Sequence, residues 1–208
     1  MSRLNTTDTK ERLLETAMEL ISAESYASVS VDDICEKAKV KKGSFYHFFP
    51  SKCDLAVAAF ENAWQEKLRP ELDRIFSTQV SPLKRLIDYF EFSYKMQKEK
   101  QERYGFVCGC PYTSVGSEQG NQDEKLRKNV EEILDRKTKD IESAIQDAVR
   151  EKLIPECDVK QKAGEVSSFY LGVLMQAKIA NNLEPLTIKK IRPALFRLLE
   201  VDAAKVTG

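Results

Sequence analysis

The stretch Ser30–Lys52, SVDDICEKAKVKKGSFYHFFPSK, decides the reading of this chain. Ser30 followed by Asp33 three residues on is a helix-opening signature, a hydroxyl cap answered by an acid at the third helical position. The helix it opens buries Val31, Ile34, Cys35 and Ala38 on one side and lasts barely two turns. Lys39-Val40-Lys41 separates it from a second helix of similar length, Lys41 to about Phe48, which Pro50-Ser51 closes while Ser51 and Asp54 cap the next. Upstream, Thr9 to Glu24 places Leu13, Leu14, Ala17, Met18 and Ile21 at helical spacing, opposite Glu11, Arg12, Glu15 and Glu19. Two short helices joined by a tight turn, inside a three-helix unit, have the geometry of a helix-turn-helix.

Charge supports that reading. The 208 residues carry 33 basic and 33 acidic side chains, a net charge of zero, so affinity for nucleic acid has to come from a local patch. From Lys37 to Lys52 the chain holds Lys37, Lys39, Lys41, Lys42 and Lys52 and no acid. With Phe45 and Phe49 turned to the core, Lys42, Ser44, Tyr46 and His47 face outward. Lys42, Ser44 and His47 are placed to reach base edges, and Gly43 leaves room for close backbone approach. A solvated lysine-rich face is the competing reading of the same residues.

The run Ser30-Val-Asp-Asp-Ile through Val40-Lys-Lys-Gly-Ser-Phe-Tyr-His-Phe-Phe-Pro-Ser-Lys52 resembles the DNA-binding head of the TetR family of bacterial transcriptional regulators, over about the first 60 residues. The resemblance implies a helical body, a dimer closed by the last two long helices, and release from an operator on ligand binding. It also implies DNA contacts at Ser30, Lys41, Lys42, Gly43, Ser44, Tyr46, His47 and Lys52. Two positions depart from the family pattern: Lys39 stands where a turn glycine is usual, and Phe48 where Tyr or His commonly sits. A lysine forced to positive φ costs roughly 1 kcal/mol.

The expected fold is all-α: a three-helix head over 8–68 on a larger ligand-binding and dimerisation body over 69–208, about nine helices in total. The fourth helix runs from Ser51 to about Phe76 without a flexible linker. Further helices are expected at 82–100, 106–117, 122–152, 158–182 and 187–201, broken by Ser81-Pro82, the Gly-rich Gly105–Gly120 region, Pro155 and Pro185. Val159, Ala163, Val166, Tyr170, Val173, Leu174 and Ala177, then Ile188, Ile191, Leu195 and Leu198, form two apolar faces able to pair with their two-fold copies.

Within the body, Trp64, Tyr89, Phe92, Tyr94, Phe106 and Tyr112 are able to line an effector pocket, or equally to form plain core. The segment Phe106–Glu118 resembles the corresponding region of the NemR-type electrophile-sensing members of the family, and Cys110 matches their sensing cysteine. Cys110, with Cys108 beside it, is thereby a candidate thiol switch, against the alternative of a small packed residue.

Five cysteines in no framework spacing are expected to be reduced, and a single histidine argues against a metal site; no cofactor is expected. The start MSRLNTTDTKERLLE lacks the apolar core of a signal peptide and no run suits a bilayer, so the expectation is a cytoplasmic protein with no membrane partner. The expected partners are a double-stranded DNA operator, a second copy of the chain and an unidentified small molecule. A thiol-dependent enzyme is the alternative from another class, but Cys110 lacks a base because the only histidine, His47, lies on the DNA-facing helix. A helical dimeric adaptor without DNA binding is a third reading.

Overall fold

The structure, a computed structural model, describes residues 3–201 and the side chains of 8–201. The helices are α1 (Arg3–Ala23), α2 (Val31–Ala38), α3 (Lys42–Phe48), α4 (Lys52–Ala63), α5 (Arg69–Ile75), α6 (Pro82–Tyr104), α7 (Pro111–Gln119), α8 (Glu124–Arg150), α9 (Val159–Ala180) and α10 (Ile188–Leu198). A π-helical turn at Trp64–Leu68 joins α4 to α5 without a break, so the described residues hold nine separate helices and no strand. The expected all-α architecture is thus observed. No helix among the described residues is long and apolar enough to cross a membrane.

Two compact units result, Met1–Pro70 with Pro111–Ile133, and Glu71–Cys110 with the chain from Leu134 onward. In the first, α1 packs on α2 and α4, and α2 on α3. Leu13, Ala17, Ile34, Phe45, Leu55 and Phe60 are fully buried there, the leucines, isoleucine and phenylalanines each contributing about 1.5–3 kcal/mol. Ser30 caps α2 as the sequence predicts: its hydroxyl accepts from the Asp33 N–H, and the Asp33 carboxylate accepts from the Ser30 N–H at 2.7 Å. Ser51 caps α4 in the same way, accepting from the Asp54 N–H.

In the second unit an aromatic cluster joins α6 to α9. The Tyr89 and Tyr170 rings lie 4.7 Å apart, Phe90 meets Tyr170 edge-on, and the Ser93 and Tyr170 hydroxyls share a hydrogen bond of 3.0 Å. Burial raises the Tyr89 phenol well above its ordinary range and pushes Tyr170 up to about 12, so both are neutral hydroxyls. Arg85 on α6 is almost wholly buried, yet its guanidinium donates to Asp147 of α8 at 2.5 Å and to the Val80 carbonyl at 2.7 Å.

The helix expected at 106–117 begins later, at Pro111. Gly105 and Gly109 both sit at positive φ, and the Gln97 side-chain amide pairs with both polar groups of Gly109, donating to its carbonyl at 3.1 Å and accepting from its N–H at 2.8 Å. Those bonds hold residues 105–110 as a loop, and Pro111 is the first residue free to start a helix.

Four non-glycine residues have left-handed backbones: Lys39, Lys152, Asn181 and Glu200. Each closes a helix with the same pair of bonds. At the end of α2 these are Lys39 N–H to the Glu36 carbonyl and Val40 N–H to the Cys35 carbonyl.

Arg85→Ala removes the buried partner of Asp147 but leaves Arg150, 2.6 Å from its other oxygen, so it is expected to lower stability by less than the about 3–5 kcal/mol of an uncompensated buried charge, read from urea unfolding at pH 7. The Arg85 hydrogen bond holds the Asp147 carboxyl below its usual range. A depressed carboxyl contributes above its unfolded pKa and loses that contribution as pH falls through the folded value. The gap between wild type and variant therefore narrows below about pH 4; a gap that stays constant to pH 2 would show that the pair contributes nothing.

Candidate nucleic-acid interface

Phe45 is completely buried and Phe49 nearly so, which fixes the roll of the seven-residue α3 about its axis. Lys41, Lys42, Gly43, Tyr46 and His47 consequently emerge exposed, with Ser44 half-buried beside them. Tyr46 is 52% exposed and is steadied by an edge-on contact with Phe45 at 5.1 Å. Its position leaves the hydroxyl available to a partner. A Cβ built on Gly43 meets nothing within 4 Å, so the protein's own packing does not call for glycine there.

The five lysines of the basic stretch have different circumstances. Lys37 pairs with Glu19 of α1 at 3.2 Å. Lys39 and Lys41 make no ion pair among the described residues. Lys42 is bound by Asp32, Nζ lying 2.7 Å from Oδ1 and 3.0 Å from Oδ2, and that hydrogen bond raises the Lys42 pKa. Lys52 turns inward: its ammonium donates to the Tyr26 and Val29 carbonyls at 2.8 and 2.9 Å and lies 4.2 Å over the Tyr26 ring. Burial lowers its pKa. Lys52 therefore braces the loop that leads into Ser30. The sequence pattern alone does not separate such a brace from an open cation.

The loop before α2 is also held from elsewhere in the same unit. Glu118 of α7 accepts from the Ala27 N–H at 2.6 Å, and Lys125 of α8 pairs with Asp54. The half-buried Cys53 thiol faces Asp123, and burial together with that carboxylate pushes its pKa up to about 12. Sequence reading did not find these residues, because their partners lie about 70 to 90 positions away.

The predicted effector residues are divided. Trp64 and Tyr112 are buried in the first unit, where Phe60 stacks edge-on against Tyr112 at 5.1 Å, and two buried polar atoms of the same unit, Thr113 Oγ1 and Asn129 Oδ1, have no hydrogen-bond partner. Tyr89, Cys108 and Cys110 are buried in the second unit, Phe92 is half-buried, and Phe106 is 40% exposed. Burial holds the Cys108 thiol above its usual range against the pull of Lys100 and Lys178. Between the two thiols, Gly109 is required twice over: its φ is +74°, and a Cβ there would lie 2.8 Å from Lys178 Cδ. The described cysteines are all free thiols, and no cluster among the described residues suits a metal ion.

A capped two-turn helix, a tight left-handed turn and a short second helix with an exposed basic and hydroxyl-bearing face define a helix-turn-helix DNA-binding protein. Residues 13–59 match the family described as "Bacterial regulatory proteins, tetR family", and residues 82–189 match "Tetracyclin repressor-like, C-terminal domain". The chain belongs to the TetR family and is a DNA-binding transcriptional regulator, not an enzyme.

An uncharacterized HTH-type regulator from Lactococcus lactis is 31% identical over 137 residues, 64% of this chain and 66% of that protein. The transcriptional regulator AcuR of Cereibacter sphaeroides is 32% identical over 126 residues, 60% of this chain and 55% of AcuR. The match thus spans less than two thirds of either relative. The Escherichia coli repressor NemR is 24% identical over 180 residues, 86% of this chain and 88% of NemR. Its reduced-form crystal structure shares the fold, with a TM-score of 0.78 at 23% identity over 96% of this chain and 100% of that one.

Lys39→Gly removes the left-handed strain at the turn and is expected to stabilise the protein by about 1 kcal/mol, or ~2–4 °C in Tm. A Tm that is unchanged or lower would mean that the lysine backbone is not strained there.

Proposed function

We propose that the chain is a cytoplasmic, homodimeric repressor that binds a palindromic operator through α3 and leaves it when a small molecule binds or a thiol is modified. The observation that carries the reading is the exposed face of α3, where lysines, hydroxyls and an unneeded glycine surround a helix anchored by Phe45. In this reading residues 8–68 are the DNA-binding domain and 69–208 the effector and dimerisation domain. Ser30, Lys41, Gly43 and Tyr46 contact phosphates or allow close approach, Lys42, Ser44 and His47 reach base edges, and Lys52 positions the loop before Ser30.

Two copies pair through α9 and α10. Ile179 is 78% exposed, and Leu171, Val173, Met175, Phe196 and Leu198 are half-buried, an apolar surface suited to a two-fold four-helix interface. Two heads about one helical turn apart then read the two half-sites. The name of NemR, a transcriptional repressor, supports repression as the mode of action.

The candidate effector residues are Trp64 and Tyr112 in the first unit and, separately, Tyr89 and Phe92 in the second, where Cys108 and Cys110 are the thiols. The unpaired Thr113 and Asn129 oxygens offer a polar effector hydrogen-bonding partners. Release follows from stabilising a conformation in which the heads no longer fit adjacent half-sites.

Selection of bound sequences from random duplex DNA tests the reading, and recovery of a palindrome is expected. Lys42→Ala is expected to weaken binding to that sequence about 5- to 100-fold while the dimer persists in sedimentation; unchanged binding would displace α3 as the reading helix. A mild electrophile should release wild-type protein reversibly on reduction, whereas Cys110→Ser should stay bound. Full release of Cys110→Ser would leave only a conventional ligand.

A further inference from the structure

The candidate interface contains one carboxylate that makes no hydrogen bond in the helix cap beside it. Asp33 is used by the capping box with Ser30, but its neighbour Asp32 is 70% exposed and takes no part in capping. A free acid beside a phosphate-binding surface is unfavourable, since it repels the backbone it approaches. Asp32 instead crosses from α2 to the first residue of α3, where both its oxygens lie within 3.0 Å of the Lys42 ammonium. An ammonium has three donors, and the hydrogen bond to Asp32 Oδ2 occupies one of them. What the pair leaves open is two charged donors and the remaining carboxylate lone pairs, side by side at the start of the helix that carries the exposed basic face.

That combination fits a guanine·cytosine pair, which sets two adjacent acceptors, guanine N7 and O6, beside the cytosine N4 donor, whereas an adenine·thymine pair places its N6 donor between its two acceptors. Resting on the operator reading above, we propose that Asp32 is a specificity-determining residue which, paired with Lys42, reads a guanine·cytosine pair. Lys42 donates to the guanine edge and Asp32 accepts from cytosine N4. Asp32 has a second effect. By holding Lys42, it withholds that ammonium from phosphates and so weakens binding to DNA that lacks the matching pair. An exposed ion pair of this kind adds little to stability, so its cost and benefit are felt in recognition.

The test compares wild type, Asp32→Ala, Lys42→Ala and the double variant on the sequence selected by wild type, on single-base changes of it, and on random DNA over a salt series. Asp32→Ala should bind random DNA more tightly and with a salt slope steeper by about 1, because Lys42 is freed to neutralise a phosphate. Its ratio of selected to random affinity should fall about tenfold, and its preference should flatten at one G·C position in each half-site. The double variant should lose no more preference at that position than Lys42→Ala alone.

Equal strengthening on selected and random DNA would reduce Asp32 to a bulk charge effect and overturn the proposal, as would an unflattened G·C position. A wild type that enriches no sequence would overturn the operator reading itself, which the wild-type arm reports before any variant is compared. Because Asp32 lies outside the Ser30–Asp33 cap and contributes only as a first-turn acid, Asp32→Ala should stay folded with a melting temperature lowered by no more than about 2–4 °C.

Discussion

Everything the head presents to a partner depends on the burial of Phe45. A helix of seven residues is far too short to be stable on its own, since nucleation costs more than two turns of hydrogen bonds return. It exists because Phe45, with Phe49 beside it, is buried where α3 packs on α2, and that burial also fixes which residues are outermost. The roll of α3 is therefore decided by an apolar ring, while the polar residues are left free to serve recognition. The brace at Lys52 and the Glu118 and Lys125 contacts secure the surrounding loops so that the small helix is held from several sides.

The parts of the fold that were legible from sequence are those with local chemistry. The Ser30–Asp33 and Ser51–Asp54 caps, the proline at the start of α6 and the Phe45/Phe49 spacing each announce themselves within four residues. Helix ends were harder. Lys39, Lys152, Asn181 and Glu200 take the left-handed conformation that glycine usually marks, and a chain with only eight glycines offers little punctuation. The late start of α7 escaped notice for another reason: it depends on Gln97 reaching twelve residues ahead to pair with the Gly109 peptide.

The same division applies to the candidate site. The residues of α3 could be assigned inside or outside from the positions of two phenylalanines. The fate of individual lysines could not, because Lys37, Lys42 and Lys52 are each engaged by a group on another element. A run of basic residues reads as uniform charge in sequence and resolves in space into a tether, an exposed ion pair and a brace. In the body, the aromatic list mixed residues of two compact units, since helical periodicity reports which side of a helix is apolar but not which neighbour covers it.

Gly43 carries a different kind of information from the rest of the head. Nothing in the folded chain would touch a methyl group at that position, so packing within the protein does not call for glycine there. On the operator reading proposed above, the requirement for glycine is held outside the molecule, in the shape of the duplex that lies against α3. Its drift among descendants of this chain would then follow the target's contour and not the protein's own architecture.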